Sequence, residues 1–384
     1  MSELDTDRIF ERGPRTDTRS MRHTEGFWEH LDRRGGRGYD GVRALINDWY
    51  GHVPEGKAKR DLLARLRAND LESWYAAFWE LYLHEALLRA GYELEIEPDT
   101  SGSAHHPDFL ARGHGHEFYV EALAITEDPA TAVERRRKHI YDYLNSHPHP
   151  SFWLGFVVRR EGKSGLPLRR LLTDVRRWFD GLDPDATPSG TEMVWECGDW
   201  VIGLYAQAKS PAARARLGGQ LLGMYVGWAG RSNMGPKVRE KLHAKATRYA
   251  TLDKPFLIAL TAGSTLVRNP EIVEALLGRE ASANYEDHLT PASGPKLDGL
   301  FISAGRPRHT RVSGLIVALG VFCTDIGKTR PSVWPNPWAS PDRAFTAPLP
   351  FDRVLIDPAM GSITPEPSDF DPLPYFGLPS DWPG

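Results

Sequence analysis

Between Leu71 and Ala90 the chain reads LESWYAAFWELYLHEALLRA, which wraps apolar side chains around nearly the whole circumference of a helix. Trp74, Tyr75, Phe78, Trp79, Leu81, Tyr82, Leu83, Leu87 and Leu88 leave no polar face. A helix of this kind has to be covered on all sides, so the fold is built around it. Asp70 or Ser73 is suited to cap its start, and Gly91 to stop it. Two acids interrupt the apolar surface, Glu80 and Glu85. A buried carboxylate is costly unless it is paired, protonated or metal-bound. Glu80, between Trp79 and Leu81, is the stronger case. It can bind a cation, or pair with a buried Arg or with a His such as His84.

The segments that follow alternate strand and helix signals. Tyr92–Glu97 alternates apolar and acidic residues, and 98–106 is rich in turn formers. Asp108–Ala111 is a short strand, Gly113–Gly115 a turn, and Phe118–Ile125 a strong strand with Glu121 as its only charge. Ala130–Ser146 reads as a helix carrying Arg135, Arg136, Arg137, Lys138 and His139. Phe152–Val158 is the next strand and Leu168–Leu182 the next helix. The order of helix, three strands, helix and strand predicts an α/β fold with a mixed sheet flanked by helices.

Upstream, Gly41–Tyr50 and Lys57–Ala68 are short amphipathic helices. Downstream, Met193–Glu196 and Trp200–Gln207 form a hairpin, and 217–233 shows no period that assigns it. Pro236 opens a helix to Tyr249 in which Lys237, Lys241, Lys245 and Arg248 form one basic stripe. Pro255–Thr261, Gly299–Ser303 and Val312–Phe322 are further strands. The expected organisation is an N-terminal helical segment (1–70), a core (71–183), an α/β extension (184–363) that is either part of the same domain or separate, and an extended Pro-rich tail (364–384).

Composition excludes several classes. No run of 18 apolar residues exists, so no membrane span is expected. The N-terminus is polar, without a signal-peptide core, and two cysteines, Cys197 and Cys323, make no disulfide framework. A cytoplasmic protein fits. The net charge of −4 rules out a globally basic nucleic-acid binder but leaves room for local basic faces, including one at Arg306, Arg308, His309 and Arg311.

Asp108 and Glu121 lie 13 positions apart on strands joined by a short turn, a spacing that lets both carboxylates meet at one end of the hairpin. Hard cations such as Mg²⁺ or Mn²⁺ take oxygen ligands of this kind, and Glu80 can add a third. Such a site favours hydrolysis of a phosphodiester, although the spacing does not select phosphate over another ester. His105, His106, His114 and His116 flank Asp108 and raise a zinc-hydrolase reading, but their Gly- and Ser-rich surroundings favour solvated loop histidines. There is no phosphate-binding Gly-rich loop followed by Lys-Ser/Thr, and no Gly-x-Ser-x-Gly.

Glu80 on its helix, Pro107-Asp108 and Glu121-Ala122-Leu123 together resemble the PD-(D/E)XK, or restriction-endonuclease-like, nuclease superfamily over about residues 71–160. The resemblance implies a Mg²⁺ (or Mn²⁺) ion held by Asp108, Glu121 and the carbonyl of Ala122, with Glu80 assisting. It implies hydrolysis of DNA, in defence or repair, and a homodimer. One position departs: the family's motif Lys falls on Leu123. A cation from elsewhere has to replace it, with Lys138, Arg137 and His139 as candidates. Otherwise the chain is a non-catalytic relative that binds nucleic acid or a protein partner.

Overall fold

The computed structural model describes residues 8–100, 105–126, 132–215, 219–228, 234–249, 252–263, 267–286, 297–359 and 361–383. The chain forms two compact units. One comprises residues 1–18, 26–129 and 233–384, the other residues 19–25 and 130–232.

In the larger unit, α1 (Phe27–Arg33), α2 (Arg37–His52) and α3 (Lys57–Leu66) lead into α4 (Leu71–Arg89), the apolar helix. Asp70 caps α4, its carboxylate accepting from the Ser73 N–H at 2.7 Å. The strands β1 (Glu93–Ile96), β2 (Phe109–Gly113) and β3 (His116–Ile125) follow as an antiparallel meander. The smaller unit contains α5 (Ala132–Asn145), β4 (Phe152–Arg160), α6 (Leu168–Asp180), β5 (Thr191–Cys197), β6 (Trp200–Ala208), α7 (Pro211–Arg214) and β7 (Leu222–Trp228). Its sheet has the order β5-β6-β4-β7.

The chain then returns to the larger unit. It adds α8 (Met234–Thr247), β8 (Phe256–Ala262), α9 (Asn269–Leu277), α10 (Arg279–Glu286), the two-residue strands β9 (Ile302–Ser303) and β10 (Arg306–Pro307), and β11 (Gly314–Leu319). β12 (Ser332–Pro335), β13 (Asp352–Ile356), β14 (Ile363–Glu366) and α11 (Pro372–Tyr375) complete it. The result is an eight-stranded mixed sheet in the order β1-β2-β3-β8-β11-β12-β13-β14. β8 lies parallel between β3 and β11, and each of its seven residues is buried. That is the signature of a strand covered on both faces. Alternate residues of β3 enter two different cores. Val120 and Ala122 pack with α4, whereas Tyr119, Leu123 and Ile125 pack with α8 and α9. α4 is pinned by the Trp79 indole N–H donating to the Ala259 carbonyl at 2.8 Å and by Tyr75 with Thr261 at 2.9 Å.

Three sequence expectations change. The helix and strand that follow β3 in sequence, α5 and β4, do not extend the first sheet. The parallel neighbour of β3 is β8, reached only after the whole smaller unit has been inserted. The boundary expected at 183/184 falls inside that insertion, because β4, β5 and β6 pair with one another. Residues 364–384 are not an extended tail. Phe370 and Phe376 are buried, Phe376 lies 5.0 Å from Trp49 and 5.2 Å from Tyr82, and the Tyr375 hydroxyl donates to the Ala86 carbonyl at 2.6 Å. The aromatic residues interspersed among the prolines decide this, since they help cover the all-round apolar α4. Among the described residues no helix is long and apolar enough to cross a membrane.

Candidate functional site

The β2–β3 register pairs Phe109 with Val120, so one step along the ladder sets Asp108 opposite Glu121. The hairpin thus brings the two carboxylates together as the spacing predicted. The Asp108 carboxylate accepts a hydrogen bond from the Ala122 N–H at 2.6 Å. Burial pushes its pKa well above the ordinary carboxylate range, and the charges of Glu121 and Glu80 push it further. The Lys245 ammonium opposes them. All three acids therefore act on one neighbourhood, and among the described residues no basic side chain bonds Asp108 directly.

Glu121 is only 1% exposed and is held by three groups from one later segment. The Lys245 ammonium and the Tyr249 hydroxyl donate to its two oxygens, and Arg248 donates at 3.2 Å. Lys245 lies in the last turn of α8, and Arg248 and Tyr249 follow just beyond its end, where the Arg248 N–H still donates to the Lys245 carbonyl at 3.3 Å. Burial and the charge of Glu121 raise the Tyr249 pKa, so the phenol stays a donor. Leu123, where the resemblance calls for a Lys, is buried in the core with α8 and α9. A lysine there would carry its charge into apolar packing. Lys245 brings an ammonium to Glu121 from the opposite element instead.

Glu80 accepts from both terminal nitrogens of Arg65, Nη1 and Nη2, each at 2.5 Å, in a fork-to-fork pair. Its partner is therefore Arg65 rather than His84. His84 is buried beside the same site, its pKa pushed down to about 4 mainly by burial. Glu80, Asp108, Arg65, His84, Asp61 and Glu97 are among the residues lining a cavity of about 380 Å³. Glu85, the weaker acid on α4, is a closed ion pair: it contacts His52 at 2.8 Å and Arg89 at 2.5 Å.

Lys138 lies on α5 of the smaller unit, where its charge acts on His23. Arg137 pairs there with Glu161 at 3.5 Å and His139 is exposed, while the side chain of Arg135 falls outside the described residues. The flanking histidines do not converge. His106 contacts the Pro98 carbonyl at 3.0 Å, and His114 the Ala90 carbonyl at 2.8 Å.

No family model, curated protein or solved structure matches this chain. The chemistry therefore has to be read from the donor set itself. Among the described residues no group of three or more His, Cys, Asp or Glu side chains is arranged to hold a metal. Asp108 with Glu121 is a two-carboxylate element, and Mg²⁺ commonly takes one or two carboxylates, leaving its other positions to water and substrate. Asp108 fits that role best, because its charge is crowded by other acids. Glu80 fits least, because Arg65 already engages both of its oxygens.

Sequence reasoning located Glu80, Asp108 and Glu121 but gave no role to Arg65 or Tyr249, and treated Lys245 and Arg248 only as part of a basic stripe. The available signal was that stripe, whose last turn carries a tyrosine beside its arginine.

Proposed function

We propose that the larger unit is a restriction-endonuclease-like fold and that this protein hydrolyses DNA phosphodiester bonds with a divalent cation, Mg²⁺ or Mn²⁺, at Asp108 and Glu121. One observation supports this above the rest: the Lys245 ammonium bonds Glu121 and acts on Asp108, so this chain has a cation at the carboxylates although Leu123 stands where the resemblance calls for Lys. When bound, the divalent ion would polarise the phosphoryl group and acidify the attacking water. The chain's own groups do the rest. Asp108 offers a carboxylate whose negative charge is relieved by a cation. Tyr249 and Arg248 hold Glu121 in place. Lys245 places a positive charge where negative charge develops on the phosphoryl oxygens. Arg65 holds both oxygens of Glu80 at the cavity wall.

The test is cleavage of plasmid DNA by the full chain with Mg²⁺ or Mn²⁺, comparing wild type with Asp108→Ala, Lys245→Ala and Lys138→Ala. Loss of cutting in the first two, with the third unaffected, supports the reading. Retained cutting in Asp108→Ala refutes it.

A second reading has an observation of its own. Glu80 and Glu121 are each saturated by internal cations, as in a structural ion-pair network. A non-catalytic relative that binds nucleic acid or a protein partner would show this. Its mark is a wild type that neither cuts DNA nor changes its melting temperature with Mg²⁺.

A further inference from the structure

A second cluster of charge lies within the larger unit and takes no part in the carboxylate site. β9 and β10 form a tight hairpin whose turn residues, Ala304 and Gly305, have φ of 50° and 70°. Positive φ at both turn positions is the geometry that matches strand twist. The segment that leaves it is fixed by backbone bonds, Arg308 N–H to the Phe301 carbonyl at 2.7 Å and Val312 N–H to the His309 carbonyl at 2.8 Å. Facing it on α8 are Arg239 and His243, one turn apart. The His243 and His309 rings meet at 3.1 Å between nitrogens. With Pro236, Leu300 and Ser303 they line a cavity of about 560 Å³.

The sign of the charge selects the ligand. Two histidines in contact suggest a metal, but burial first, then His243 and the charges of Arg308, Arg311 and Arg239, hold the pKa of His309 down. A field that disfavours a proton on His309 disfavours a metal cation there too. Of the nearby acids, Asp298 is already engaged by Arg239 at 3.8 Å and by the Ser303 hydroxyl at 2.6 Å. Glu240, exposed on α8, also lines the cavity, so the wall carries this one acid against Arg239 and Arg308. Arg308 is exposed, with its guanidinium available to the cavity. We infer that this cavity is an oxyanion site that takes the phosphate of a mononucleotide-sized ester, with Arg308 and the His243–His309 pair as its donors, while Arg239, whose guanidinium already donates to the Asp298 and Gly299 carbonyls at 2.9 and 3.2 Å, adds positive charge. Arginine suits phosphate because its planar fork can donate two parallel hydrogen bonds. The volume is in the range of small-molecule sites, about 300–1,000 Å³, and far exceeds what a bare phosphate ion fills. Pro236 and Leu300 supply an apolar wall for the rest of the ligand.

The test is calorimetric titration of the full chain with adenosine 5′-monophosphate, adenosine, inorganic phosphate and a short single-stranded oligothymidylate. The monophosphate is expected to bind and adenosine not. Arg308→Gln and His309→Asn, checked for folding by their melting curves, should each weaken binding about tenfold or more, the cost of one charge-assisted hydrogen bond. Lys245→Ala should bind the monophosphate like wild type, which separates this site from the proposed nuclease centre. The inference falls if neither the monophosphate nor inorganic phosphate binds, or if both pocket variants bind as tightly as wild type. It also falls if only the oligonucleotide binds, because the cluster would then be part of a nucleic-acid surface.

Discussion

β3 in the larger unit and β4 in the smaller are long strands whose middles are buried. They handle charge in opposite ways. β4 reads FWLGFVVRR and keeps its charges, Arg159 and Arg160, at the exposed end. There Arg159 reaches Glu192 and the Tyr205 hydroxyl. β3 reads HEFYVEALAI and places Glu121 in its buried middle, then surrounds it with an ammonium, a guanidinium and a phenol. Hydrophobic burial alone accounts for β4. It cannot account for β3, where a charge is kept at the cost of desolvation and three side chains are committed to it. A buried charge whose partners come from a distant segment is a reason to look for function, and this one adjoins the crowded carboxylate of Asp108.

The contrast can be broken experimentally. The largest effect should be on activity. If β3 carries a nuclease site, Lys245→Met should lower the DNA cleavage rate by about 10²–10⁴-fold, the range for loss of a positioned acid–base or electrostatic group. Lys138→Met should leave that rate unchanged. Equal rates in wild type and Lys245→Met would reduce the Glu121 cluster to a structural pair.

On stability, the apolar strand should be the more sensitive. Phe156→Ala on β4 removes a fully buried ring and should cost about 3–5 kcal/mol in denaturant unfolding. Glu121→Ala should cost about 2–3 kcal/mol, below the usual cost of orphaning a buried charge, because Lys245 and Arg248 are 23% and 40% exposed and can turn to water. A cost above that of Phe156→Ala would mean that the partners are trapped when Glu121 is lost.

A subtler test uses pH. Asp108 holds its proton more tightly folded than unfolded, so the folded state is favoured at low pH and that contribution is lost as pH rises through the raised folded value. At neutral pH, where the unfolded carboxyl is ionised, Asp108 therefore costs stability relative to a side chain that does not titrate. Asp108→Asn, which keeps an oxygen for the Ala122 N–H, should melt higher than wild type at neutral pH, with the gain shrinking as pH falls. Under the nuclease reading, Mg²⁺ should raise the melting temperature of wild type but not of this variant. A wild type that melts higher at neutral pH without metal would overturn the electrostatic account. The smallest effect belongs to the exposed end of β4, where Arg159→Ala should leave the melting temperature unchanged within error.

How far the sequence could be read depended on the range of the interactions involved. The hairpin that pairs Asp108 with Glu121 is local, and a period of two with a short turn specifies it. The burial of α4 follows from composition alone. The neighbour of β3 did not, because a parallel partner can be separated by any length of chain, and here a complete unit intervenes before β8. The same insertion disguised α5 and β4 as a continuation of the first sheet. The C-terminal residues misled for a related reason: prolines suggest extended chain locally, while Phe370 and Phe376 find their burial against distant helices.

The sequence by itself determined which charges need explaining, since an acid within an apolar run is costly wherever the run is buried. Only the tertiary structure decided what answers them. Arg65 comes to Glu80 from α3, and Lys245, Arg248 and Tyr249 come to Glu121 from the end of α8 and just beyond. Electrostatic partners act through space over a few ångströms, and a linear pattern carries no record of which distant residues the packing will bring that close.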